Sequence, residues 1–167
     1  MKPRTLLILV GSAAFAVAVV VALLREVDRE EASLAQSISG VVEVASGAGD
    51  LVKSDRLTLV LIDAATGEVA ALKFTTPFVP PLAFSIGQSE ARKGVNLNGK
   101  YFLLGLTDKD GDPTKPHSGE VIGKFPEPLV TATEKVYLEL NQPFTGPLPE
   151  LLAAGIRDFQ GGSGREY

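Results

Sequence analysis

Residues 6–24, LLILVGSAAFAVAVVVALL, run for 19 positions without a charge. A helix of that length rises about 28 Å, close to the hydrocarbon thickness of a bilayer. A helix in the core of a water-soluble domain carries a polar stripe, and this run has none. Lys2 and Arg4 precede it, and the charged stretch REVDREE begins at Arg25. Cleavage as a signal peptide and retention as an anchor are the two readings. The run exceeds the roughly 7–15 residues of a signal core. The small-x-small triplet Ser33-Leu34-Ala35 lies beyond the charged stretch, and those between Ala14 and Ala18 lie inside the run itself. We therefore expect a single transmembrane anchor within residues 1–24. Lys and Arg flank the run almost evenly. The short leading tail and the acidic excess after the run favour an inside N-terminus and an outside domain.

About 130 residues remain, enough for one domain with its own core. The formal net charge is −4, and no basic stripe is present, so the footprint of a nucleic-acid binder is missing. Cysteine is absent, which excludes disulfides, thiol nucleophiles, thiolate zinc sites and lipid attachment through cysteine. His117 is the single histidine, so a multi-histidine metal site is impossible. Most common enzyme chemistries are thereby disfavoured. We expect no catalytic residues and no cofactor-binding residues.

Residues 25–37 read as a charged stalk. From Ile38 the pattern becomes short alternating runs separated by Gly, Pro, Asp and Asn. Strands are expected at residues 38–44, 56–62, 69–74, 82–86, 101–107, 120–125 and 135–140. Residues 63–67 form a turn in which Gly67 can take positive φ. Seven short strands over residues 38–141 predict a mainly β fold, a β-sandwich of immunoglobulin-like or transthyretin-like type. The Cys–Trp–Cys core of immunoglobulin domains is missing. Residues 142–167 are a Pro- and Gly-rich tail in which Pro143, Pro147 and Pro149 stop any strand. A short helix at 150–159 would present Leu151, Leu152, Ile156 and Phe159 to a partner, and residues 161–164 read as a flexible linker.

The acidic loop at residues 108–112 is the most site-like feature. Asp108, Asp110 and Asp112 alternate, and Gly111 permits a tight turn, so their carboxylates could converge on one hard cation such as calcium. The full calcium-loop pattern is absent, because Pro113 and Gly119 stand where its glycine and bidentate glutamate belong. An ordinary Asp- and Gly-rich turn is the competing reading. His117 and Ser118 are adjacent in the same loop, but adjacency is not the geometry of a base and nucleophile. Tyr101, Phe102, Phe84 and Phe74 lie at strand spacing and read as core or sheet surface. No glycine cluster has the form of a phosphate cradle.

Several segments together resemble a known family. They are Ile38-Ser39-Gly40, residues 57–62, Ala71-Leu72-Lys73, the stretch PLAFSIG at 81–87, LTDKDGDP at 106–113, and Ser118-Gly119-Glu120. The pattern is similar to the periplasmic β-domain at the C-terminus of the cytochrome c maturation subunit that handles apocytochrome. Related domains occur in small membrane-anchored proteins of bacterial respiratory complexes. The Met-Pro-Gly stretch of that family is absent here, and no helical repeats precede the domain. The resemblance implies a periplasmic domain on a single-pass bacterial inner-membrane anchor. It implies a non-enzymatic accessory role, with a c-type cytochrome or a respiratory-complex subunit as partner. A periplasmic module for a small ligand or calcium is the alternative.

Overall fold

Short apolar and alternating runs build the strands that organise the described chain. The computed structural model describes residues 37–49, 55–131 and 135–162. The expected membrane anchor at 1–24 and the stalk up to residue 36 lie outside that set. Among the described residues, no helix is long and apolar enough to cross a membrane.

The strands are β1 (Ile38–Val44), β2 (Arg56–Asp63), β3 (Val69–Thr75), β4 (Leu82–Ile86), β5 (Lys100–Asp108), β6 (Val121–Lys124), β7 (Leu129–Val130), β8 (Val136–Leu140) and β9 (Gln142–Pro143). One 3-10 turn, Gln88–Glu90, follows β4, and one helix, α1, covers Glu150–Gly162. The seven expected strands are present within a residue or two. The expected count is nonetheless corrected, because β7 and β9, of two residues each, are additional. Runs that short show no period. Pro143 does not prevent pairing, because it lies on an edge strand, where a missing N–H costs nothing. The predicted linker at 161–164 is also corrected in part, since α1 continues through Gly162.

Two sheets result. A three-stranded sheet runs β4-β1-β8, and a larger one runs β3-β2-β5-β6-β9, with β7 beside β5. All pairs are antiparallel except β1 with β8, which are parallel. One core lies between the sheets. Ile38 and Val42 of β1, Phe84 and Ile86 of β4, and Leu138 and Leu140 of β8 meet Leu57, Leu59 and Leu61 of β2 and Leu103 of β5. A second core lies on the other face of the larger sheet. There Val60, Val69, Leu72, Leu104 and Leu106 pack against Leu152, Ala153 and Ile156 of α1 and against Phe144 and Leu148. Strand β2 is thus buried on both faces, which explains its nearly unbroken apolar run.

Two glycines set the spacing of the sheets. Gly105 and Gly123 are register partners on β5 and β6. A Cβ on Gly123 would sit 2.1 Å from the backbone oxygen of Glu139, and one on Gly105 would sit 2.8 Å from a methyl of Leu138. Strand β8 therefore lies directly on this glycine pair.

The β3 edge is occupied. Ala71 bridges to Ala91, and the Arg92 N–H donates to the Ala70 carbonyl at 2.8 Å. Lys73 Nζ donates to the Ser85 carbonyl of β4 at 2.7 Å and pairs with Glu90 at 3.4 Å. Partial burial works against ionisation of Glu90. The Gly87 N–H, the Ser89 hydroxyl and Lys73 outweigh it and hold the carboxyl below its ordinary range. A lysine and a crossing segment are recognised ways of blunting an edge against further strand pairing.

Candidate functional site

The hairpin between β5 and β6 carries residues 109–120 as a long loop, and its base is closed by two buried acids. Asp108 is the last residue of β5 and is 2% exposed. Its Oδ2 accepts from Arg56 Nε at 2.9 Å and makes an ion pair with the same guanidinium. Its Oδ1 accepts from the Gly111 N–H at 2.7 Å. Arg56 reaches it because the register of β2 and β5 places the two residues opposite each other. The guanidinium also donates to the Gly111 carbonyl at 2.9 Å and lies 4.5 Å from the ring centre of Phe74.

Glu120, 2% exposed, stands at the other foot of the loop. Its two oxygens accept from the backbone N–H groups of Lys109 at 2.8 Å and His117 at 2.7 Å. Burial raises its carboxyl above the ordinary value. The two N–H donors oppose that rise, and the neighbouring Asp108 and Asp110 charges add to it. Thr107 Oγ1 accepts from the Val121 N–H at 2.9 Å, tying the strands just inside the loop.

The three aspartates predicted as cation ligands separate. Asp108 and Asp110 do converge, but their third member is Glu120, with one carboxylate oxygen from each lying within 4.8 Å of the others. Asp112 instead accepts from the Thr114 N–H at 3.1 Å and the Thr114 hydroxyl at 2.5 Å, and pairs with Lys115 at 2.9 Å. The Thr114 hydroxyl and then Lys115 pull its pKa down to about 2. Glu120 lies twelve positions from Asp108 in sequence, and only the closed hairpin brings them together. The positive φ of 93° at Gly111 supplies the turn that the loop needs. His117 is exposed, and its backbone N–H is held by Glu120.

The predicted partner face on α1 is also redistributed. Leu152 is 8% exposed and Ile156 is fully buried against the larger sheet, and Phe159 is half-buried beside them. These side chains form the second core, so they offer no surface while α1 is docked. Leu151 alone of the four points outward, at 60% exposure. Of the aromatics, Tyr101 and Phe84 are core residues, while Phe102 is half-buried with Lys124 Nζ 4.3 Å from its ring centre.

No family model matches this chain, and no curated protein matches it. A solved structure similar to it is that of an alternative pilotin from the type II secretion system of Vibrio cholerae. The two are 19% identical over 64% of this chain and 95% of the pilotin, with a TM-score of 0.42. A likeness that weak assigns no role. The resemblance to the cytochrome c maturation domain is corrected: no family model and no curated protein upholds it, and the similar solved structure is a pilotin, not a maturation subunit. The segments that carried the resemblance are short strand and turn signals of a kind many β domains contain. The c-type cytochrome and the respiratory-complex subunit rested on it, and no match supports them.

Proposed function

We propose that this chain is a non-enzymatic binding module, an immunoglobulin-like or transthyretin-like β-sandwich held at a membrane by residues 6–24. The domain works on the non-cytoplasmic side and recognises a protein partner through the end that carries the 109–120 loop. The observation behind this reading is the use of the loop's acids. Asp108, Asp112 and Glu120 all accept hydrogen bonds that close the loop. A loop held in shape by its own backbone donors and displayed on a packed scaffold is suited to recognition. The uncharged run and its flanking charges support the anchor and the side.

A photo-crosslinking amino acid placed at Lys109, His117 or Ser118 in the full chain tests this in intact membranes. A discrete protein adduct is expected at these positions and not at Glu68, an exposed residue of the β2–β3 turn. Absence of an adduct at every loop position would sink the proposal.

The convergence of Asp108, Asp110 and Glu120 favours a second reading, in which the loop takes up calcium. Millimolar calcium should then raise the melting temperature of the wild type but not of Asp110→Asn. An unchanged wild-type melting temperature removes that reading.

A further inference from the structure

The outer face of the three-stranded sheet is unlike that of the larger sheet, which α1 covers. The register places Ala83, Val41 and Tyr137 side by side across β4, β1 and β8, and Glu43 beside Glu139 one row on. Ala83, Tyr137 and Glu139 are exposed, Tyr137 to 54%. The row is therefore a small apolar strip with two adjacent carboxylates beside it. Like charges directly opposite one another on a sheet face oppose folding. Three other surface acids have cations, Glu90 with Lys73, Asp112 with Lys115 and Glu150 with Arg157, while Glu68 and Glu127 have none among the described residues but stand apart from other acids in sequence. None of the ion pairs among the described residues includes Glu43 or Glu139. Glu43 accepts only a hydrogen bond from the Tyr137 hydroxyl, which leaves its charge in place.

We propose that this face docks a basic segment of a protein partner, its Lys or Arg side chain seated between Glu43 and Glu139 and against the Tyr137 ring. This rests on the partner-binding reading above and adds a second surface and the chemistry it selects. A cation there meets two carboxylates and the face of an aromatic ring, both favourable to ammonium and guanidinium groups. The flat strip of Ala83 and Val41 accepts the aliphatic stem of a long basic side chain. Lys135, the exposed residue immediately before β8, gives the surface a direction. The basic end of the segment lies over Glu43 and Glu139, and a neutral or acidic residue lies over Lys135.

The test uses the full chain in detergent micelles and a fluorescein-labelled peptide of alternating Lys and Gly. Fluorescence anisotropy should show binding that the Glu-Gly counterpart lacks. Glu43→Gln with Glu139→Gln should weaken it at least ten-fold, and Tyr137→Ala several-fold. Glu68→Gln with Glu127→Gln makes the same change in charge on exposed residues elsewhere, and should weaken it less than two-fold. Equal weakening by both pairs would mean attraction to net charge alone and would overturn the proposal, as would no binding by the wild type. Loop crosslinks that persist when the peptide fails leave the loop reading standing and sink only this surface. Peptide binding without loop crosslinks does the reverse.

Discussion

At the scale of single residues, the base of the 109–120 loop depends on two acids with opposite burdens. Asp108 is buried with Arg56 and also accepts the Gly111 N–H. Truncating one member of such a pair strands the other, at a cost of about 3 kcal/mol. Asp108→Ala should lower the unfolding free energy by roughly that amount in urea titrations. Glu120 responds to pH. Its folded-state pKa is raised above the ordinary 4.5, so the folded form holds this proton more tightly. The stability it contributes is complete below about pH 4.5 and is lost as pH rises through the raised value. The difference in unfolding free energy between wild type and Glu120→Gln should move in favour of the variant over that interval. Asp112 has the reverse sign. Its pKa is held at about 2 against 3.8, so its contribution is present above 3.8 and disappears as pH falls toward 2. Asp112→Asn should therefore cost least in the most acidic titrations. Only part of this site could be read from the sequence. Alternation pointed to Asp108 and Asp110, but the same alternation put Asp112 with them. Glu120, beyond the 108–112 stretch, carried no local signal.

At the scale of elements, α1 shows how a correct pattern can support the wrong use. Its apolar positions were legible, and so was the existence of the helix. An amphipathic stripe does not say whether it faces a partner or the chain's own sheet. Here it faces the sheet. Ile156→Ala should destabilise by about 2–4 kcal/mol through the cavity it leaves. Leu151→Ala, on the exposed side, should stay within about 0.5 kcal/mol. Urea midpoints of the two variants compare the faces directly. The strands were legible for a similar reason. Val136, Leu138 and Leu140 alternate and do face the core. Period two tells which side chains point inward but not which strand is the neighbour, so the parallel β1–β8 pair left no trace in sequence. The glycines were equally silent, because their role lies in what approaches them. Gly123→Ala should cost roughly 3 kcal/mol, since the clash is with the backbone oxygen of Glu139. Gly105→Ala should cost less, because a Leu138 methyl can turn away. Equal costs would contradict the close approach of β8 at Gly123.

At the scale of the whole molecule, the two cores share β2 and β5, whose opposite faces line one core each. Neither core can be lost without stripping a face from strands that the other needs. The domain within Gln36–Tyr167 should therefore unfold in one transition, with tyrosine fluorescence and far-ultraviolet circular dichroism giving the same midpoint. Separate midpoints would show that α1 and its core detach first. The pairing of β1 with β8 also has a consequence for how the protein is made. The ribosome supplies β1 at the start of the domain and β8 near its end, so the smaller sheet stays incomplete until nearly the whole domain has been synthesised. Early emergence leaves β1 without one of its two neighbours.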